Sequence, residues 1–195
     1  DIGLNIVHGK VLSKAEMEKY NIALFDVKLG SPQSADEVHD VVNTMKSMGL
    51  DYADWAWEIR DEPTDRVADQ WIAAAKIIKQ ADPQVRIWCN PGDVKKSTEA
   101  AVTAMRPWID VFCPYVNHFT SGNSEYQKLL LTQSTPKLIY TTPCSKEKAP
   151  NAPLDYLKMA DIALKYSRNG WDNFSLRAYY PYAASAWDEG NAMDP

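Results

Sequence analysis

The sequence predicts an α/β fold: a (β/α)8 TIM-type barrel, incomplete on its N-terminal side, with about six barrel strands. Three observations predict it. Strand-like and helix-like stretches alternate at about 25–40 residues per unit, a spacing that implies crossover connections and a parallel sheet. Polar, aromatic and proline residues gather just after the strand-like stretches: Asp61-Glu62-Pro63, Cys89-Asn90-Pro91, Cys113-Pro114-Tyr115, Thr142-Pro143-Cys144 and Tyr180-Pro181-Tyr182. Alternation alone also allows a doubly wound sheet, but barrel enzymes build their sites from those C-terminal strand ends. Finally, the 195 residues fall short of the roughly 250 of a complete barrel. With no leader at Asp1 and no cap after Asn191, residues 1–195 read as a single barrel domain cut from a longer protein.

The elements follow in order. Residues 3–8 read as a short strand, and residues 22–27 as another strand or one arm of a hairpin. Ser34-Ala35-Asp36-Glu37 has the form of a capping box. It opens a helix with an apolar stripe of Val38, Val41, Val42, Met45 and Met48, closed by Gly49. Residues 53–60 are strand-like. Asp65 then begins a helix with Val67, Trp71, Ala74 and Ile78 on one face, ended by Asp82-Pro83. Further strands are expected at 85–89, 109–113, 137–141 and 173–179. Helices are expected at 97–106, stopped by Pro107, at 124–131, and at 154–169, closed by Gly170.

Composition excludes several classes. With 45% hydrophobic residues the chain can bury a core and is not disordered. Twenty-one Lys and Arg against 26 Asp and Glu leave a net charge of −5 with no basic block, which argues against a nucleic-acid or anionic-membrane partner. No apolar stretch approaches the roughly 20 residues of a membrane span. Aromatic residues make up 11% of the chain, including seven Trp; such rings form either packed cores or the walls of a sugar-binding cleft.

The sharpest local signal is the run 55–63, Trp-Ala-Trp-Glu-Ile-Arg-Asp-Glu-Pro. Trp55, Trp57 and Ile59 alternate on one face of a strand, with Ala56, Glu58 and Arg60 on the other. If the apolar row meets the helices, Glu58 and Arg60 point into the barrel, where each needs a partner, such as the other. The same phase carries Glu62 to the barrel mouth. Pro63 is expected to hold Glu62 extended, because a residue before proline is driven out of the helical region. A carboxyl in a cleft walled by Trp and other carboxylates is expected to have a raised pKa, suiting a general acid. Asp61 and Glu62 can instead cap the following helix.

The order of motifs along the chain resembles the barrel domain of bacterial glycoside-hydrolase-like proteins, typified by the N-acetyl-β-galactosaminidases of glycoside hydrolase family 123. The matching segments span residues 3–9, 57–63, the helix into Ala81-Asp82-Pro83, and then 86–91, 110–115, 138–140 and 187–191. The resemblance implies substrate-assisted hydrolysis, in which the sugar's own 2-acetamido oxygen attacks the anomeric carbon. It implies Asp61 as the carboxylate that orients the acetamido group. It implies Glu62 as the acid that protonates the leaving oxygen and then serves as base toward water. It also implies a carbohydrate partner and an extracellular or periplasmic location. A regular strand would send Asp61 and Glu62 to opposite faces, so both reach one sugar only through a twist or bulge at Asp61. A conventional pairing of Glu62 with Asp188 or Glu189 stays open.

Other candidates surround this pair. Trp88, Tyr115, Tyr140 and Trp187 are either stacking platforms for a sugar or packing residues. Asn90 and Asn117 can hydrogen-bond sugar hydroxyls or serve turns. His8 ends the first strand facing either a cleft or the interior, His39 lies on a helix surface, and His118 lies in a loop within reach of a substrate. No metal motif is present, and no cofactor is expected. Cys89, Cys113 and Cys144 are expected as buried free thiols, or with one bridge between Cys89 and Cys113. Two rivals remain: a non-catalytic sugar-binding or scaffold barrel, and an isomerase or aldolase barrel. The latter would want a catalytic lysine on a strand and a Gly-rich phosphate loop, and neither is evident.

Overall fold

The computed structural model describes residues 6–8, 10–92, 94–113, 118, 137–141 and 174–178, with the backbone alone at 6–8, 137–141 and 174–178. The chain divides into two compact units, Asp1–Pro114 and Tyr115–Pro195.

The first unit is a run of strand–helix repeats. Its strands are β1 (Ile6–His8), β2 (Leu24–Lys28), β3 (Trp55–Glu58), β4 (Ile87–Cys89) and β5 (Val111–Phe112). Each pairs in parallel with the next. Between them run α1 (Lys14–Tyr20), α2 (Ala35–Ser47), α3 (Ala68–Ala81) and α4 (Glu99–Met105). One turn of 3-10 helix, Asp65–Val67, leads into α3, and another, Arg106–Trp108, follows α4. In the second unit β6 (Lys137–Thr141) and β7 (Phe174–Ala178) pair in parallel. The chain is thus mixed α/β with parallel pairing throughout the described strands. No helix among the described residues is long and apolar enough to cross a membrane.

Local sequence explains most boundaries. Ser34 caps α2 by accepting from the Glu37 amide, but the Glu37 carboxylate takes the amide of Gln33, so the reciprocal arm of the expected capping box is displaced by one residue. Gly49, at φ +78°, permits the left-handed exit from α2. Helix α1 was not expected from the sequence, although Ser13-Lys14-Ala15-Glu16 carries its signature. The Ser13 amide donates to Glu16 Oε2 at 2.8 Å, and the Glu16 amide donates back to Ser13 Oγ. With α1 in place, β2 is a crossover-connected strand, not a hairpin arm. Helix α4 ends at Met105, just before Pro107, which sits in the first turn of the 3-10 segment that follows.

The core lies between strands and helices. Trp55, Trp57, Trp71, Trp88, Phe25, Phe112, Ile78, Ile87 and Met105 are its largest wholly buried side chains. Trp55 borders a groove with Val42 of α2, and Ile59 borders a smaller one with Trp71 of α3, so the Trp55–Trp57–Ile59 row meets the helices. The opposite face carries Asp26, Ala56, Glu58, Trp88 and Val111, aligned by register. It too is buried.

Candidate functional site

Parallel strands end in step, so the residues just after β2, β3 and β4 meet at one end of the sheet. Strand β2 ends at Lys28, in register with Glu58. The loop after β3 carries Asp61 and Glu62, and the loop after β4 carries Asn90 and Gly92. Backbone bonds lock these loops to their neighbours. The amides of Leu29 and Gly30 donate to the Glu58 carbonyl, and Trp57 Nε1 donates to the Gly30 carbonyl at 2.8 Å. On the other side the Ser97 hydroxyl donates to the Pro63 carbonyl, the Asp65 amide donates to the Lys96 carbonyl, and Asp65 Oδ1 accepts from the Thr98 amide at 2.7 Å.

Within this frame both acidic side chains turn toward the β4 loop. Asp61 Oδ1 accepts from Asn90 Nδ2 at 2.6 Å, and Asp61 Oδ2 lies 3.5 Å from Lys28 Nζ. Glu62 lies against Gly92: a methyl at that glycine would stand 3.2 Å from the Cβ, Cδ and Oε2 of Glu62. A side chain at position 92 would require Glu62 to give way by a few tenths of an ångström.

The backbone at Glu62 differs from expectation. Proline was expected to hold it extended, yet its φ is +45°, in the left-handed region that L-residues with side chains seldom adopt. Pro63 pushes the residue before it toward extended backbone, so Glu62 departs from the expected geometry on this side too. The turn breaks the strand phase and brings neighbouring carboxylates to one loop, at Glu62 where a twist at Asp61 was expected. Glu62 is also exposed, so no tryptophan among the described residues encloses it.

Helix capping is not the role of Asp61. The segment at Asp65 has Thr64 as its N-cap, without a side-chain cap bond, while Asp61 is held by Asn90 and Lys28. Arg60 is corrected too: it is exposed and lies with Ile59, Val67 and Trp71 on the helix side. It therefore does not point inward beside Glu58. The strand ends at Glu58, and the alternation ends with it.

Deeper in the unit, Asp26 and Glu58 are wholly buried and both are engaged. Burial pushes the Cys89 thiol well above its ordinary range, with the Glu58 charge and Cys113 adding to the effect. A thiol so held is protonated and unreactive. Cys89 and Cys113 are buried and not bridged to each other, the first of the two expected states; Cys144 lies outside the described residues.

The other candidates fall as follows. Trp88 is wholly buried, so it packs the core and offers no face for stacking. Asn90 is 3% exposed; its Nδ2 serves Asp61, and its Oδ1 has no partner among the described residues. An unsatisfied buried acceptor costs about 1–3 kcal/mol. His39 is exposed and its Nε2 donates to the Ala81 carbonyl, while His118 is buried instead of lying in an open loop. His8 aligns with Asp26 in the backbone register, and Tyr140 with Arg177. Their side chains lie outside the described residues, as do Tyr115, Asn117, Trp187, Asp188 and Glu189. Among the described residues no three His, Cys, Asp or Glu side chains are grouped to hold a metal ion.

Sequence reasoning missed Lys28 and Gly92. Lys28 ends β2, one residue beyond the strand expected at 22–27. The signal for Lys28 was the run Leu24-Phe25-Asp26-Val27, read as a strand without its terminal lysine. Gly92 had no signal beyond following a proline.

No family model and no curated protein matches the chain. Among solved structures, one described as an L-Ala-D/L-Glu epimerase is similar at 11% identity with a TM-score of 0.35, covering 76% of this chain and 54% of its own. This chain thus spans about half the length of that structure, and a likeness of this degree carries neither fold nor activity across.

Proposed function

We propose that the chain is a glycoside hydrolase acting on terminal 2-acetamido sugars of the N-acetylgalactosaminide type. In this reading its parallel strands belong to a (β/α)8 barrel, and Asp61 and Glu62 form the catalytic pair. One observation carries the reading: adjacent carboxylates at the C-terminal end of β3 meet the single loop Asn90–Gly92, the second through a left-handed backbone that stability alone would not select. Asp61, an acceptor with lone pairs to spare, receives the acetamido N–H and orients its carbonyl oxygen toward the anomeric carbon. Glu62, exposed at the strand ends, gives a proton to the leaving oxygen and then takes one from water. Substrate assistance dispenses with a protein nucleophile, so no second carboxylate across the cleft is required. An extracellular or periplasmic location forms part of the same proposal.

Chromogenic 2-acetamido-2-deoxy-galactosides assayed against the matching plain galactosides test it. The acetamides should be cleaved and the galactosides should not, and Glu62→Gln should lose about 100-fold or more in kcat while still folding. Equal rates on both sugars would remove substrate assistance. An unchanged Glu62→Gln would remove the acid role, and binding without turnover would leave a sugar-binding module.

A further inference from the structure

We propose that Lys28 and Asn90 are positioning residues that clamp Asp61 from the strands on either side of β3. The inference rests on the reading that Asp61 receives a substrate N–H, and it names what holds the carboxylate still. Asn90 Nδ2 donates to one carboxylate oxygen at 2.6 Å from the β4 side, and Lys28 Nζ stands 3.5 Å from the other on the β2 side. A carboxylate has about four lone-pair sites. The two donors occupy one on each oxygen and leave the others for a ligand. The Asp61 side chain is 32% exposed, enough to be reached.

Neither contact is what fold stability would select. The Lys28 side chain is 56% exposed, and ion pairs in that setting add little to stability. Asn90 is buried with its Oδ1 unpartnered among the described residues, so its burial is a cost to the fold. What the two residues do share is the direction of Asp61. A carboxylate free to rotate would meet the acetamido group in many poses; one held from both sides meets it in one.

The test uses the full chain. Lys28→Met keeps the aliphatic stem and removes the charge. It should lower kcat on the 2-acetamido substrate about 10- to 100-fold, with KM within about twofold and the melting temperature unchanged, and Lys28→Arg should recover most of the rate. Asn90→Ser should behave alike. Wild-type kcat in both Lys28→Met and Asn90→Ser overturns the proposal. A second readout needs no turnover. In side-chain amide NMR, the Asn90 Nδ2 protons should be protected from exchange in the wild type, shifted in Lys28→Met, and unprotected in Asp61→Ala. Protection unaffected by Asp61→Ala overturns the clamp even in an active enzyme. A wild type with the amide signature but no turnover keeps the clamp and removes the hydrolase reading instead.

Discussion

At Glu62 the chain keeps a side chain where glycine would sit more comfortably. The left-handed conformation costs an L-residue about 1–2 kcal/mol because Cβ crowds the following carbonyl. Here it is followed by proline and pressed against Gly92. Strain of this kind, at a residue whose carboxylate is exposed at the ends of parallel strands, points to a role in chemistry. Replacing Glu62 by Gly and by Ala separates the two contributions. Both remove the carboxylate, but only Gly relieves the backbone, so Glu62→Gly should be more stable than Glu62→Ala by about 1 kcal/mol in urea unfolding. An alanine variant of equal or greater stability would mean that the turn is not strained. Asp61 shows the complementary case: its neighbours, not its backbone, decide where it points.

Among the elements, α1 is the one whose existence depends most on its ends. At 7 residues it is too short to persist through helix propensity alone. Its capping box ties Ser13 to Glu16, and the Ser13 amide and hydroxyl hold the Glu16 carboxyl below its ordinary range. A lowered acid contributes stability above its ordinary titration range and loses it as pH falls through the lowered value. At the same end the hydrogen bond to Asp54 raises the Lys14 ammonium, opposed by desolvation, so that contact fades as pH rises through the raised value. Amide hydrogen exchange should therefore show α1 opening ahead of α3 on acidification, with Glu16→Gln removing that pH dependence and Ser13→Ala, which keeps the backbone donor, only weakening it. Protection in α1 that stays constant across the acidic range would contradict this. Helix α3, by contrast, buries Ala68, Trp71, Ala74, Ala75 and Ile78 and is held by packing.

For the whole molecule, the buried tryptophans offer the most direct measurement. Trp55, Trp57, Trp71 and Trp88 are each 2% exposed or less. Of the seven in the chain, these four should resist acrylamide quenching in the native state and become quenchable together when the Asp1–Pro114 unit unfolds. Full quenching under native conditions would mean the core is open. The aromatic bias is thus explained in this unit largely by packing, the plainer of the two readings that composition allowed. What the sequence by itself determined, for the described residues, was the alternation of strand and helix, the ends of α2 and the end of α3, and the parallel pairing those crossovers demand. These follow from periodicity, caps and prolines, which act within a few residues of themselves. Tertiary structure alone decided that Glu62 turns left-handed, that Arg60 leaves the sheet, that Trp88 is interior, and that Lys28, Asn90 and Gly92 surround Asp61 and Glu62. Those outcomes depend on the register of strands some 30 residues apart in the chain, and local sequence does not encode which loop will stand opposite which.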